Sequence, residues 1–584
     1  MRDIGRGNSM LSDFDVEGKN KVQKAAYYLK NYGVSYTAKK ALRKFGVPIS
    51  EESEYMTWCR RMAPSKEMLK SQRESVLASK YSFVIVSEKG TDAEAEGFKK
   101  QTCKNLSFAQ VTTETTIAQL LQQNTADYFV FSGREIKAAP DYLYEVSRVL
   151  AGETVEPYSN IRPRNEQKVD LIYTDEDNCV GKKRIRPFMK PDKSLQLLLN
   201  FQYLGRCFVI SRSLLTRMEE NKVSVELFGN DWYDLALQAF RFAEHVYHIP
   251  KVLFSNCVSE EHKNTFIRNT DAKQKRFVEH YLESEHIRGK VAESDVAGFF
   301  HPEYELQEEP LVSIIIPNKD HTDDLKICLD SLIEKSDYTN FEVIIAENNS
   351  EEEETFSYYE KMKQQDARIH VVTWEGGFNY SAINNFAVKS AKGEILLFLN
   401  NDTEFMEACT LRELVVSTMK PQVGACGAML YYGDDTIQHG GIIMGMGGFA
   451  AHALWSLTDR DEKYYPFSLC EREVSSNTGA CLMVRRSVYQ EVGGMDEEFV
   501  VALNDVDFCM KIRAAGYEIL FNPYAKLYHY ESKSRGYEDT VEKQARFQKE
   551  IDRFQKKWKA ELTAQDPYYN PNLTLHRADY SMDI

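Results

Sequence analysis

LVSIIIPNKD (311–320), FEVIIAENNS (341–350) and GEILLFLNND (393–402) share one design: an uninterrupted apolar run that closes on polar residues. Such runs suit strands buried on both faces, as in a parallel sheet covered by helices. The polar residues at their carboxyl ends are Asn318–Asp320, Glu347–Asn349 and Asn400–Asp402. In open α/β sheets ligands bind beyond the carboxyl ends of the strands. Three strands therefore deliver candidate site residues to one edge.

The same logic recurs upstream in YSFVIVSE (81–88), ADYFVFSG (126–133) and VDLIYTDED (169–177), with a helix end and closing strand in FRFAEHVYHIPKVLF (240–254). Strand–helix alternation of this kind predicts parallel-rich α/β layers. The halves also resemble each other. YFVFSGREIKAAPDYL (128–143) parallels LLFLNNDTEFMEACTL (396–411), and FVISRSLL with NDWYDLALQ parallels ACLMVRRSVY with NDVDFCMK. The offset of about 270 residues marks a repeated domain, not a solenoid. The expected organisation is a basic helical extension (1–75), a first α/β domain (76–265), a helical linker (266–308), a second α/β domain (309–540) and a helical tail (541–584).

A chain of 584 residues exceeds what one core serves, and 43% hydrophobic with 12% aromatic residues is globular. The net charge of −15 argues against a protein that wraps nucleic acid. One local exception is the segment 19–44, with eight Lys/Arg and no acid. It reads first as a solvated helix face; contact with an anionic membrane or partner is the sharper alternative. The eleven cysteines are scattered and form no CxxC pair, so neither a zinc site nor a disulfide framework is expected. The N-terminal residues have no apolar run fit for a signal peptide, and no stretch reaches the ~18 apolar residues of a membrane span. A reduced, cytoplasmic setting is the expectation.

Residues 311–536 resemble a family 2 glycosyltransferase of the inverting GT-A class, in the rhamnosyltransferase-like branch that builds bacterial surface polysaccharides. The resemblance is carried by SIIIPNKD, AENNS, GGFNYSAINNFAVKSAKGEILLFLNND, TGACLMVRRSVYQEVGGMDEEF, LNDVDFCMKIRAAGY and HYESKSRG, and the tail DPYYNPNLT (566–574) is similar to the ending of many such enzymes. It implies two tandem GT-A domains, the first degenerate. It also implies a nucleotide-sugar donor, a glycan or lipid-linked glycan acceptor, and no nucleic-acid partner. A lipid-linked acceptor would bring the protein to the inner membrane face, through segment 19–44 or the tail helix around 542–558; either could instead be a homo-oligomer contact.

The resemblance also assigns roles. Glu347 would accept the ring N–H of the nucleotide base, with Pro317 and Asn318 shaping the loop against base and ribose. Diphosphate charge needs an oxygen-liganded Mg²⁺ or Mn²⁺. Where the family has Asp-x-Asp this chain has Asn400–Asn401–Asp402, so Asp402 is the expected metal ligand, His529 the second, and Asn400 a neutral helper near sugar or ribose. Arg535 would pair with the diphosphate as a planar fork. Asn379 and Ser381 in FNYSAINN would cradle the diphospho-sugar with Asn384 or Asn385 near the sugar, a helix N-cap at Ser381 being the alternative. Asp505 is the expected base. Asp496 and Asp507 fall on the acceptor side, with a helix-capping or structural role favoured for Asp507. Gly440–Gly441 and Gly445–Gly448 read as a flexible segment near the acceptor.

In the first half Ser132–Gly133–Arg134 replaces the acidic triplet, and an arginine there would repel a divalent cation. That half is expected to be catalytically dead, either binding acceptor glycan or purely structural. The rival functions are a two-headed polymerase, a non-catalytic glycan-binding scaffold, and a nucleotidyltransferase, whose Gly-rich opening IPNKDHTDD lacks.

Overall fold

The computed structural model describes residues 51–88, 97–153, 168–229, 231–261, 274–530 and 540–583. The basic segment 19–44 lies outside them. Eight strands build the first sheet: β1 (Phe83–Glu88), β2 (Leu106–Val111), β3 (Tyr128–Ser132), β4 (Ile136–Ala138), β5 (Leu171–Val180), β6 (Lys183–Phe188), β7 (Cys207–Ser211) and β8 (Val246–Cys257). A hairpin of β9 (Gly289–Glu293) and β10 (Phe300–Tyr304) follows. The second sheet takes β11 (Val312–Asn318), β12 (Phe341–Glu347), β13 (Ile369–Thr373), β14 (Ile395–Leu399), β15 (Thr403–Phe405), β16 (Val423–Tyr431) and β17 (Ile437–His439). A second hairpin, β18 (Ile442–Met444) with β19 (Ala450–His452), precedes its last strands, β20 (Arg472–Glu473), β21 (Cys481–Arg485) and β22 (Glu518–His529).

The first sheet runs β2-β1-β3-β7-β5-β8-β4 with β6 on β5; the second runs β13-β12-β11-β14-β21-β16-β22-β15 with β17 on β16 and β20 on β22. Without β13 and β20 the two paths match strand for strand. Parallel and antiparallel neighbours match too: β3 turns against β7 as β14 does against β21, and β5 runs with β8 as β16 does with β22. The repeat is architectural, and the tandem GT-A arrangement is the observed fold class.

Strand register corrects one expectation. Ser132 pairs with Cys207 as Leu399 pairs with Cys481, and Ile136 pairs with Asn256 as Thr403 pairs with His529. The residues matching Asn400–Asn401–Asp402 are therefore Gly133–Arg134–Glu135, one position later than the sequence comparison gives. Asn256 stands where His529 does. Local similarity does not resolve a one-residue slip, whereas the hydrogen-bonded ladder fixes it.

Two more expectations change. The linker is only partly helical: a helix at Lys275–Ser284 gives way to the β9–β10 hairpin. The glycine-rich segment around 440–448 contributes to the ordered β18–β19 hairpin, with Gly441 (φ +92°) and Gly445 (φ +85°) supplying left-handed turns. Among the described residues no helix is long and apolar enough to cross a membrane.

One core cluster runs through both units, and across it Phe201 stacks on Phe299 at 4.7 Å and Phe467 on Tyr580 at 4.1 Å. Polar contacts seal the seam. Glu473 of β20 caps the helix α1 (Leu195–Asn200) of the first unit, accepting from Ser194 Oγ, from Leu195 N at 3.0 Å and from Gln196 N at 3.2 Å. The tail is wedged in the same place. Asp566 accepts from Met444 N (2.8 Å) and Ser475 Oγ (2.7 Å) of the second unit. Four residues later Asn570 donates to both oxygens of Asp175 in the first, at 3.0 Å each.

Asp175 is fully buried, and His248 Nε2 lies 2.8 Å from it, with His248 Nδ1 3.2 Å from Asp192. Burial of the ring opposes its charge, but Asp175 and Asp192 outweigh burial and push the His248 pKa up to about 9. A folded pKa above the unfolded value means stability that is complete below about pH 6.5 and fades as pH rises toward 9. The stability lost in His248→Gln, measured by urea unfolding, should be largest at pH 6 and should shrink steadily by pH 9.5.

Candidate active site

The carboxyl edge of the second sheet is built from three strand ends. Pro317 pairs with Ala346 on β12, past the last β14 pair, Ile315 with Phe398; a strand end tolerates its missing N–H. Asn318, buried, donates to the Tyr359 hydroxyl (2.7 Å) and accepts from Asn401 Nδ2 (2.7 Å), which ties β11 to the end of β14. Glu347 is 3% exposed and takes Tyr359 OH (2.7 Å), Ser350 N (2.5 Å) and Ser350 Oγ (2.6 Å). A carboxylate has about four lone-pair sites, so one is left over. Asp320, in the left-handed region at φ +50°, accepts from Glu351 N and Glu352 N at 2.8 and 3.0 Å. The two loops beyond β11 and β12 are thereby cross-braced.

Next to this floor, at the end of β14, Asp402 meets the end of β22. Asp402 Oδ1 and Asn400 Nδ2 each lie 3.2 Å from His529 Nε2. The ring is fixed from behind. Gln438 Oε1 is 2.5 Å from His529 Nδ1, and Gln438 Nε2 donates to the His529 carbonyl at 3.2 Å. This double contact sets the amide orientation, so Nδ1 carries the hydrogen and Nε2 points toward Asp402, where the neutral ring presents its lone pair. A lone pair facing a carboxylate oxygen suits a cation, and a brace on the far ring nitrogen is what metal-bound histidines use. Among the described residues no group of three or more His, Cys, Asp or Glu could hold a metal. Two protein ligands completed by phosphate oxygens and water nevertheless fit Mg²⁺ or Mn²⁺.

The start of the helix α2 (Tyr380–Val388) and the first turn of α3 (Asn504–Ala514) both reach Gly479. Asp505, half-buried, accepts from Gly479 N and Val506 N, both at 2.8 Å. Tyr380 donates to the Gly479 carbonyl at 2.7 Å. Burial pushes the Tyr380 hydroxyl pKa well up, and Asp505 and Asp402 both add to the shift. At Gly479 a Cβ would lie 3.0 Å from Tyr380 Oη and 3.4 Å from the Asp505 Cβ, so a larger residue would make the tyrosine hydroxyl give by a few tenths of an ångström.

Several expected residues do other work. Asn379, rather than Ser381, caps α2, accepting from Ala382 N at 3.0 Å, and its Nδ2 donates to the Glu497 carbonyl at 2.8 Å. Ser381 is fully buried and bonded to the Phe499 carbonyl at 2.8 Å. Asn384 and Asn385 are likewise spent, on Tyr380 O and on Met495 O. Asn379, Ser381 and Asn385 tether α2 to the 495–500 loop, while Asn384 bonds back within the helix. Asp507 is buried, receiving Lys557 Nζ (2.9 Å) and Trp558 Nε1 (2.8 Å). Asp496 takes Lys557 Nζ (3.0 Å) and Arg553 (3.2 Å). Partial burial would raise the Asp496 pKa, but Lys557, the Glu498 amide and Arg553 hold it down to about 2. Neither is free for an acceptor. Arg535 lies outside the described residues. Sequence reading missed Tyr359, Tyr380, Gly479 and Gln438; Tyr380 sits inside the quoted FNYSAINN, while Gln438 and Tyr359 carry no local signal.

A mixed sheet with a carboxylate and histidine at its carboxyl edge, faced by a carboxylate on a helix start, defines a GT-A transferase domain. Residues 313–493 match the model of Glycosyl transferase family 2, and the chain carries a domain of that family. The chain is 35% identical over 420 residues to the uncharacterized protein y4gI of Sinorhizobium fredii, covering 70% of this chain and 46% of that one. It is 33% identical over 458 residues to the O-antigen biosynthesis protein RfbC of Myxococcus xanthus, covering 78% and 34%. Over 126 residues it is 30% identical to the N-acetylglucosaminyl-diphospho-decaprenol L-rhamnosyltransferase of Mycobacterium tuberculosis, covering 20% and 40%. It spans less than half the length of each of these relatives.

The Gln438 brace has a measurable consequence. Gln438→Leu removes the acceptor that fixes the His529 tautomer and should weaken Mn²⁺ binding about 10–100-fold in calorimetry, with the fold intact.

Proposed function

We propose that the second unit transfers a sugar, with inversion, from a nucleoside diphosphate to a growing cell-surface glycan, and that the sugar is a 6-deoxyhexose such as rhamnose. The observation that carries the reading is the Asp402–His529–Gln438 arrangement with Asp505 held at Gly479, next to Ala480, whose carbonyl accepts from Asn400 N at 3.0 Å. The rhamnosyltransferase and O-antigen names of two relatives support the sugar and the glycan.

In this reading Asp402 and His529 Nε2 hold Mg²⁺ or Mn²⁺, whose charge would offset that of the leaving diphosphate. Asn400 and the braced loops at Asn318 and Glu347 line the donor side, with the open lone pair of Glu347 meeting the base. The acceptor oxygen attacks the anomeric carbon from the face opposite the diphosphate. As that bond forms, the bond from carbon to diphosphate oxygen breaks, the hydroxyl proton passes to the Asp505 carboxylate, and the nucleoside diphosphate leaves. Two backbone N–H groups hold Asp505 in place for that transfer. A lipid-linked acceptor, as in the name of the mycobacterial relative, would make membrane contact peripheral.

The first unit is read as non-transferring. Arg134 pairs with Glu88 at 2.6 Å, and Asn256, in the place of His529, is buried and bonded to Glu176 at 3.0 Å. Glu135 offers a carboxylate without an imidazole partner at the matching position. This speaks against a two-headed polymerase.

A donor screen tests the proposal: release of each nucleoside diphosphate from a panel of nucleotide sugars, with and without Mn²⁺. dTDP-rhamnose should be consumed only with metal. Asp505→Asn should keep dTDP binding and lower turnover by about 10²–10⁴-fold. Intact donors throughout, with no nucleotide binding, would sink the reading.

A further inference from the structure

The C-terminal helix α4 (Val541–Lys557) packs Ile551 and Phe554, with Trp558 just beyond its end, against Phe499, Leu503, Val506 and Met510. Its polar residues act on a narrower target. Glu550, 4% exposed, accepts from three consecutive backbone N–H groups: Val500 (2.8 Å) and Val501 (2.9 Å) at Oε1, and Ala502 (3.2 Å) at Oε2. Buried N–H groups outside regular structure must find acceptors, and one carboxylate serves all three. The next residue, Leu503, takes the left-handed turn (φ +59°) that launches α3. Two residues past Asp505, Asp507 is held by Lys557 and Trp558. Lys557 also reaches Asp496 at 3.0 Å, at the start of the same loop.

Asp505 thus lies between two points fixed by one helix, and bonds only to groups outside that helix. From the opposite side α2 fixes the same loop, Tyr380 N donating to Val500 O at 2.9 Å and Ser381 Oγ to Phe499 O at 2.8 Å. Packing alone would need no carboxylate beneath three amides and no lysine bridging two aspartates. A buried charge with this many donors gives geometric definition.

We propose that Glu550, with Lys557 and Trp558, is a positioning device for the base: α4 sets the backbone path of 500–507 and so the distance of the Asp505 carboxylate from the acceptor hydroxyl. The inference rests on the reading of Asp505 as the base. None of the three residues touches substrate in this role. Their loss should act on the chemical step and leave the donor edge at Asn318, Glu347 and Asp402 alone.

The test compares Glu550→Ala, Glu550→Gln and Lys557→Met by dTDP release from dTDP-rhamnose with Mn²⁺, by dTDP binding in calorimetry, and by amide hydrogen exchange. Glu550→Ala should lower kcat about 10–100-fold, since displacements near 1 Å cost this much, with KM for donor and dTDP affinity within about twofold. Glu550→Gln keeps one acceptor oxygen for Val500 and Val501 and should recover most of the rate. Lys557→Met should lower kcat in the same way if Glu550→Ala fails to fold. Exchange should rise over 500–507 and stay unchanged over 312–347. A folded Glu550→Ala with unchanged kcat, or with donor affinity falling alongside kcat, would overturn the positioning role. No dTDP release by the unaltered chain, or full release by Asp505→Asn, would instead overturn the reading of function on which it rests.

Discussion

A carboxylate taken out of water must be given donors, and Asp175 is completely buried at the seam between the units. Its donors come from far apart in the chain: Lys190 N (2.9 Å), His248 (2.8 Å) and the tail residue Asn570. That requirement pins the tail to the first unit, while Asp566 pins it to the second. The tail continues from α4, which carries the groups that hold the Asp505 loop. Satisfying one buried charge in the first unit therefore anchors an element that reaches the Asp505 loop of the second. A first unit without counterparts of both Asp402 and His529 retains in this way a reason to be part of the molecule.

The site is economical in its polar groups. Most side chains around it bond to one another or to backbone: Asn318 to Tyr359 and Asn401, Glu347 to Ser350, Ser381 to Phe499, Asp507 to Lys557. The Asp402–His529 pair and Asp505 sit among them, each held by its own contacts. A transition state that spreads charge between a leaving diphosphate and an acceptor oxygen is served by few groups held firmly, because groups fixed in advance need not reorganise as charge moves. The braces are as much a part of the chemistry as the groups that they hold.

Much of this was legible in the residues. Unbroken apolar runs ending in Asn, Asp and Glu announced the strands and the edge that they share. The repeat was visible too, but its alignment was off by one at the metal position. A comparison that matches polar triplets favours Ser132–Gly133–Arg134, whereas strand pairing puts Glu135 against Asp402. The helix cap falls to Asn379 and not to Ser381 for a related reason. A helix start selects its cap by backbone direction, which residue type alone leaves open.

The sequence by itself determined the class of fold and the duplication, because apolar periodicity is a local property. Only the tertiary structure decided which polar residues are spent and which are available. Asp496, Asp505 and Asp507 lie within twelve residues of one another, yet two are neutralised by Lys557 and one is presented by Gly479. Gln438, Glu550 and Asn570 matter through partners 91, 50 and 395 residues away. Pairings over such separations depend on how the packed elements meet, which the order of residues along the chain does not express.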